Sequence, residues 1–262
     1  MSATSPTATS DGRRGAGGPL LLAAACVAGM ALTWVFAALV PATRVKDAVA
    51  LYDFTRLDRP VVEVPANALL ILLEPEFFVV WGIALVAIAL SNQRKRVALA
   101  VALVLSLAPA SAELLKPLLA HPHADVVPIY IKSASWPSGH ATAATALAWC
   151  VVLVAPASLR RTVALLGALL LTAVGCALLI LAWHMPSDVL GGYLLGTLWF
   201  ALALAALRAG RSAPVFQSSP PEEPAACSPG AHSSSEFVGA GDPGSSFAAR
   251  LRINSMSDSR FR

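Results

Sequence analysis

The sequence predicts an all-α fold: a polytopic membrane protein built as a bundle of six transmembrane helices. Only 13% of its 262 residues are charged and 56% are hydrophobic, whereas soluble domains carry about 25% charged residues. The apolar residues are also grouped into runs close to the roughly 20 residues that cross a bilayer as a helix. Composition and run length together therefore exclude a soluble domain.

Six apolar runs are predicted to span the membrane. Short polar segments separate them, and they cover residues 20–41, 66–90, 97–119, 139–156, 162–183 and 189–207. The first run is too long for the apolar core of a typical signal peptide and is interpreted as an uncleaved span. The second reaches spanning length only if residues 66–73 continue into 77–90 across Glu74, Pro75 and Glu76.

Two tails flank this membrane domain, which we place at residues 20–207. The N-terminal tail (1–19) is short. The C-terminal tail (208–262) is rich in Ser, Pro, Gly and Glu and poor in apolar residues. Such a composition is typical of disordered segments, and we expect the tail to be a disordered extension.

Basic residues predict the orientation of the bundle. They cluster before the first span, in two turns and after the sixth span, at Arg13, Arg14, Arg94, Lys95, Arg96, Arg160, Arg161, Arg208 and Arg211. The positive-inside rule makes this face cytoplasmic, together with both termini. Segment 42–65 carries four further basic residues on the other face, and the clusters outweigh it. Within that segment, residues 47–57 are expected to form a connecting loop, with an amphipathic surface helix as the alternative.

Charge and cysteine usage exclude two other kinds of site. The net charge of +4 comes from arginines that flank apolar runs instead of forming one stripe, so no nucleic-acid partner is expected. The four cysteines form no CxxC motif or Cys/His cluster, so no metal site is predicted. The sequence specifies no oligomeric state.

Polar residues are collected at the opposite, extracytoplasmic face. Three stretches carry them: "ELLKPLLAHPHAD" (113–125), "SWPSGHA" (135–141) and "AWHMPSD" (182–188), which together hold four of the five histidines. With antiparallel neighbours and short connections, the ends of spans three to six can converge there. The sequence therefore predicts one polar pocket at this face.

The stretch "PSGH" predicts an anion site at a helix start. Ser138 is a favourable N-cap, and Gly139 lets a ligand approach the backbone closely. The free N–H groups and the positive end of the helix dipole attract anions. His140 places an acid/base group beside them. An ordinary helix start is the alternative.

Lys116 lies three residues after Glu113 near the end of span three, so the two side chains can share a helix face. The lysine could simply extend to the membrane interface. Ionisable residues inside spans are nevertheless candidates for function. We therefore interpret Lys116 as a fixed ammonium beside the anion site and Glu113 as the partner that orients it.

His184 and Asp188 match the pattern of an oriented nucleophile. A carboxylate that holds one ring nitrogen fixes the tautomer and leaves the other nitrogen free to attack. The alternative makes Asp188 the N-cap of span six and His184 an interfacial polar residue. Two histidines, a lysine and a helix N-terminus are suited to metal-free phosphoryl transfer, in which one imidazole attacks phosphorus and the other protonates the leaving oxygen.

The order K…PSGH…HxxxD over six spans resembles the type 2 phosphatidic acid phosphatase superfamily, the lipid phosphate phosphatases, across residues 66–207. The resemblance implies that His184 forms a phosphohistidine, that Asp188 orients it and that His140 is the acid/base. It implies a lipid phosphate or polyprenyl (di)phosphate as substrate, bound among membrane lipids, with no metal or other cofactor. The phosphate ligands that it implies are Lys116, Ser138 and Gly139.

Two arginines of the family pattern are replaced in this sequence. The arginine-proline pair expected seven and eight residues after the lysine is His123 and Ala124, and a frequent arginine at plus five is His121. The arginine expected six residues before the nucleophile is Leu178. Arginine offers a permanent charge and a bidentate fork. A transition-state arginine contributes about 10³–10⁵ in rate in other phosphoryl-transfer enzymes.

Three functions therefore remain open. In the first, the pocket is an enzyme in which His121, His123 and Lys132 supply the positive charge; such an enzyme would favour mildly acidic conditions, because imidazole is protonated mainly below about pH 6.5. In the second, the protein binds a lipid phosphate without turning it over. In the third, it is a transporter or structural membrane protein with a histidine proton relay. The retained pair His184–Asp188 favours the first.

Overall fold

The computed structural model describes residues 11–124 and 126–210, and within these ranges the chain is entirely helical apart from its connections. Eight α-helices follow one another along the described chain: α1 (Asp11–Leu39), α2 (Pro41–Thr55), α3 (Pro60–Ile71), α4 (Pro75–Ser91), α5 (Lys95–Leu118), α6 (Gly139–Val154), α7 (Arg160–Ile180) and α8 (Pro186–Ala209). The expected disordered tail lies almost wholly outside the described residues. The prediction of an all-α membrane fold is confirmed.

The number of spans is less simple than six. Within the described residues, four helices are long and apolar enough to cross a membrane: α1 from Gly17, α5, α7 and α8. The pair α3 and α4, bent by 55° at a short break, makes up to a fifth. Helix α6 is apolar but has only 16 residues. The predicted six-helix count is therefore not confirmed.

The break between α3 and α4 lies where the second predicted span is interrupted by charged residues and a proline. Pro75 is the first residue of α4. A proline removes a backbone donor and disfavours helical geometry in the residue before it, so α3 has to end upstream. Residues 74–76, across which the second predicted span was expected to continue, therefore form a bend between α3 and α4.

Residues 47–57 differ from the favoured expectation. The segment expected to be a connecting loop is helical, because α2 continues to Thr55 and α3 starts at Pro60. Both helices begin with proline, which is well suited to the first helical position. Ala48 and Leu51 of α2 are buried, whereas Lys46 and Asp53, two of its four charged residues, are exposed. The alternative, an amphipathic helix, is the correct one.

Glycines bring α8 into close contact with α6. A Cβ atom at Gly192 would lie 2.6 Å from the carbonyl oxygen of Ser138, and one at Gly196 would lie 2.7 Å from Cβ of Thr145. Small residues allow helix backbones to approach in this way inside membranes. Gly192 and Gly196 therefore set the distance between the two helices that carry the predicted motifs.

The two ends of the bundle differ in chemistry. At one end, Arg94 donates to the carbonyls of Leu153 and Val154, and Arg160 donates to that of Ala155. Arg96 donates to the carbonyl of Gly210 beyond α8. Arginine side chains thus satisfy the free carbonyls where α6 and α8 end. The predicted polar stretches lie at the other end.

Candidate active site

Helix α6 begins where the "PSGH" stretch predicts. Ser138 is its N-cap, fully buried, and its Oγ accepts a hydrogen bond from the backbone N–H of Ala141 at 3.4 Å. Gly139 is the first helical residue, and His140 follows in the first turn. The first amides of a helix have no carbonyl partner within it. The helix therefore presents donors and a positive dipole end at this point.

Lys116 and Glu113 lie against this helix start. The Nζ of Lys116 donates to Oε1 of Glu113 at 2.6 Å. A Cβ atom at Gly139 would be 2.9 Å from the same Oε1 and 3.6 Å from the lysine Nζ. Position 139 consequently has little room for a side chain. The last turn of α5 brings an ammonium group to the N-terminus of α6.

The turn after α7 presents His184 to the same region. The N–H of Trp183 donates to the carbonyl of Leu178 at 2.9 Å and that of Ala182 to Leu179 at 3.2 Å, the two bonds of a Schellman motif. Ala182 has φ of 53°, in the left-handed region that glycine usually fills at this position. A strained alanine therefore closes α7 two residues before His184.

Asp188 is fully buried and holds His184. The Nδ1 atom of the histidine lies 3.4 Å from Oδ2 of Asp188. The same oxygen accepts the backbone N–H of Met185 at 3.0 Å. This distance to the imidazole is long for a hydrogen bond, as is common at catalytic pairs without substrate. With Nδ1 directed at the carboxylate, Nε2 is the nitrogen left for attack.

The alternative interpretation of Asp188 as the N-cap of α8 is wrong by three residues. Helix α8 begins at Pro186, and its N-cap is Met185. Asp188 is the third helical residue and accepts the N–H of the N-cap residue, which is the N3 contribution to a capping box. One carboxylate oxygen thus contacts both the helix start and the imidazole.

The two motifs contact each other directly. The N–H of Ser138 donates to the carbonyl of Asp188 at 2.9 Å. The ring of His140 packs edge-on against that of Trp183, with centroids 5.5 Å apart. His140 also lies within electrostatic range of His184 and Lys116. Residues predicted to converge from four helices are therefore brought together.

A cavity of about 330 Å³ opens at this cluster. Its polar part is formed by Glu113, Lys116, Gly139 and His140. The rest of its wall is apolar and comes from the α3–α4 bend, α4, α5 and α6: Leu73, Pro75, Phe78, Val79, Leu105, Pro109 and Ala143.

A second cavity of about 510 Å³ lies between α4 and α5. It shares Phe78, Val79 and Leu105 with the first and extends to Leu90. The two cavities thus follow one apolar groove that starts at the polar cluster.

The loop between α5 and α6 holds the histidines proposed to replace arginine. The rings of His121 and His123 are 5.1 Å apart. Nε2 of His123 lies 3.1 Å from Oγ of Ser135 and 3.2 Å from the carbonyl of Lys132. The Lys132 side chain is exposed, whereas His121 is buried. These three residues are grouped with one another, and the described lining of the 330 Å³ cavity does not include them.

Leu178 is fully buried in an apolar cluster with Leu51, Leu70, Val174 and Met185. The position at which the family resemblance places an arginine is thus filled by packing. A guanidinium could enter it only by displacing core side chains.

Two residues of α2 escaped prediction. Asp47 accepts hydrogen bonds from the backbone N–H of Ser187 at 3.1 Å and from its Oγ at 2.6 Å. Nη2 of Arg44 donates to the carbonyls of Pro122 at 2.6 Å and His123 at 3.3 Å. The only sequence signal was the excess of charge in segment 42–65, which was interpreted as a conflict in orientation.

Comparisons with known protein families and solved structures match the part of the chain that contains the candidate site. The family model described as the PAP2 superfamily matches residues 84–212, which include every residue proposed from "ELLK" to "HMPSD". A solved structure, described as the first transmembrane PAP2 type phosphatidylglycerolphosphate phosphatase from Bacillus subtilis, is 21% identical and superposes with a TM-score of 0.58.

That alignment covers 71% of this chain and 93% of the solved chain, and at this identity it shows the fold. No curated protein matches. The matched segment contains both predicted motifs, and the fold is shared with a solved member. Residues 84–212 of this chain are thus similar to the PAP2 superfamily.

Proposed function

We propose that the protein is a membrane-embedded, metal-independent phosphatase that hydrolyses a lipid phosphate or a polyprenyl (di)phosphate through a phosphohistidine intermediate. The observation that carries this proposal is the contact between His184 and buried Asp188, joined through the Ser138–Asp188 hydrogen bond to the helix start where Lys116 lies. An oriented imidazole is thereby held next to an anion site.

In the first proposed step, Nε2 of His184 attacks phosphorus, and a P–N bond forms while the bond to the leaving oxygen breaks; this oxygen belongs to the lipid alcohol in a monophosphate and to the inner phosphate in a diphosphate. Protonated His140 gives its proton to that oxygen. Buried Asp188 stabilises the positive charge that develops on His184. The lipid alcohol leaves, or the polyprenyl monophosphate when the substrate is a diphosphate, and the phosphoryl group remains on the histidine.

In the second step, water attacks the phosphohistidine and His140 takes the proton of the water. The P–N bond breaks, and inorganic phosphate is released. Lys116 and the first backbone amides of α6 stabilise the equatorial oxygens of the phosphoryl group in both steps. Ser138 and Gly139 form the backbone start of the helix at which these amides are exposed to the phosphate. Glu113 is expected to orient the lysine between turnovers, given its 2.6 Å contact with Nζ.

The apolar groove supports a lipid substrate. From Pro75 to Leu90, α4 extends for roughly 22 Å at 1.5 Å per residue, comparable to a long hydrocarbon chain. A phosphate bound at Lys116 can therefore have its tail between α4 and α5. A water-soluble phosphate ester has no hydrocarbon tail that could occupy this groove.

The proposed site faces away from the cytoplasm. The clusters Arg94–Arg96 and Arg160–Arg161 lie at the opposite end of the bundle, where the side chains of Arg94 and Arg160 contact the carbonyls at the end of α6. The positive-inside rule then makes that end cytoplasmic. His121, His123 and Lys132 are proposed as the sources of positive charge on the extracytoplasmic loop.

The test is phosphate release by the purified protein in detergent. The panel contains phosphatidic acid, a lysolipid phosphate, phosphatidylglycerol phosphate and a polyprenyl diphosphate, each with and without EDTA. We expect release from at least one lipid that resists EDTA and disappears in His184→Ala. Release that survives in His184→Ala, or that EDTA abolishes, would contradict the mechanism.

A second function has one observation in its favour. Leu178 is buried where the family resemblance places a phosphate-binding arginine, so the pocket could bind a lipid phosphate with little or no turnover. Headgroup binding that depends on Lys116, without phosphate release from any lipid of the panel, would favour this binder.

A further inference from the structure

Helix α2 lies upstream of the segment matched by the family model. Two of its side chains, Arg44 and Asp47, are three residues apart and therefore lie on one face of the helix. Each contacts a different segment of the proposed active site. The geometry of these contacts indicates a function for α2 that the motifs do not include.

Asp47 holds the start of α8. Its two carboxylate oxygens accept both the N–H and the hydroxyl of Ser187. Ser187 precedes Asp188 directly and lies in the first turn, where backbone N–H groups have no helical partner and negative charge is favourable. Because Ser187 lies between His184 and Asp188, holding Ser187 in place also holds the backbone of the turn that connects these two residues.

Arg44 holds the loop that leads from Lys116 to Ser138. Its Nη2 donates to two successive carbonyls, those of Pro122 and His123. A backbone hydrogen bond from the N–H of His121 to the carbonyl of Ser133 connects the two ends of this loop. Position 123 is thus set in part by a side chain of α2.

Helix α2 is itself held by the core. Ala48 and Leu51 are fully buried and pack in the same apolar cluster as Leu70, Leu178 and Met185. Burial raises the pKa of Asp47, and the two hydrogen bonds from Ser187 oppose this rise. The carboxylate is consequently kept in a place that disfavours its charge, next to the donors that compensate it.

We propose that Arg44 and Asp47 are positioning residues, through which α2 holds the α7–α8 turn and the α5–α6 loop in the relative placement that the reaction needs. As far as turnover is concerned, the proposal rests on the proposed phosphatase function. Neither side chain is expected to touch the phosphate.

The main test compares Asp47→Asn with Asp53→Asn, an exposed carboxylate of the same helix. We expect Asp47→Asn to lower kcat about tenfold, with KM within twofold and an unchanged thermal midpoint, and Asp53→Asn to have no effect. Second-sphere hydrogen bonds have effects of this size when they orient a reacting group. A purely structural role would instead lower kcat only as far as it lowers the folded fraction.

Ser187→Ala and the double variant give an independent measurement. Because Asp47 acts through Ser187, the double variant should be little worse than Asp47→Asn alone. Arg44→Gln should also lower kcat, and Arg44→Lys should retain part of it. Multiplicative losses in the double variant, or full activity of Asp47→Asn, would overturn the proposal.

Hydrogen exchange separates this proposal from the proposed function. In Asp47→Asn, peptides covering residues 182–188 should exchange faster than in Asp53→Asn, whether or not the protein turns over a lipid. Absence of turnover in the unchanged protein would count against the phosphatase, whereas unchanged exchange at 182–188 would count against positioning by α2.

Discussion

Gly192→Ala probes the distance between α6 and α8. The added Cβ would lie 2.6 Å from the carbonyl oxygen of Ser138, 2.7 Å from Cβ of Ala141 and 3.1 Å from the backbone nitrogen of Thr142. None of these atoms is the end of a flexible side chain that could rotate away. Ordinary contact begins near 3.4 Å, so the helices must separate by roughly 0.8 Å at this point.

The expected magnitude follows from that displacement. Inserting a methyl group into a packed interface costs about 1–3 kcal/mol, and the better helix propensity of alanine offsets about 0.5–1 kcal/mol of it. The protein should therefore still fold. A misplacement of about 1 Å can lower a rate by about 10²-fold. Since the strain falls on Ser138, which is bonded to Asp188, we expect a loss of this order in kcat.

The assay is initial phosphate release from a lipid phosphate in detergent, with thermal unfolding recorded in the same detergent. Gly167→Ala is the matched control, because its nearest neighbour, Cβ of Ala148, is at 3.4 Å. Should Gly192→Ala retain activity within threefold, or lose no more than Gly167→Ala, the close approach of α6 and α8 would not determine the geometry of the site.

Four further predictions concern single side chains. Asp188→Asn should lower kcat by up to about 10⁴-fold, the loss seen when an oriented imidazole takes the wrong tautomer, with little change in unfolding temperature because the amide oxygen can still accept the N–H of Met185; a loss below tenfold would argue against orientation. Lys116→Gln should lower kcat/KM about 10–100-fold, which corresponds to the loss of one charge-assisted hydrogen bond. The measurement is phosphate release from the lipid phosphate used for Gly192→Ala, and unchanged kinetics would show that the lysine does not bind the phosphate. Ala182→Gly should stabilise the protein by about 1 kcal/mol by relieving the left-handed conformation, which calorimetry can measure, whereas a lower midpoint would contradict the strain. If protonated imidazoles supply charge, activity should rise from pH 8 to about pH 6 and His123→Ala should flatten the profile; a flat profile in both proteins would refute this role.

The sequence predicted those parts of the site that depend on local chemistry. Ser138 is the N-cap because capping is decided by a residue and its next three neighbours. The break at Pro75 follows equally from the properties of proline. The register of α8 was three residues off, because Pro186 at the first helical position sets the start of the helix before Asp188 can cap it.

Contacts between distant segments could not be predicted in the same way. Arg44 and Asp47 contact residues 78 to 140 positions away, and no periodicity in one sequence encodes such pairs. Segment 47–57 was expected to be a connecting loop, with an amphipathic helix as the alternative. Its buried residues, Ala48 and Leu51, are too few to reveal a helix by hydrophobic period alone.

The short length of α6 has a consequence for how a substrate reaches the site. Sixteen residues extend roughly 24 Å, less than the hydrocarbon thickness of about 30 Å. In the proposed membrane orientation, with the arginine-capped end of α6 at one headgroup layer, the Gly139 end would lie several ångströms beneath the other. Hydrophobic mismatch of this kind thins the local bilayer or admits water. In the proposed enzyme, a phosphate would then sink to the imidazoles while its lipid remains in its own leaflet, and turnover would depend on membrane thickness.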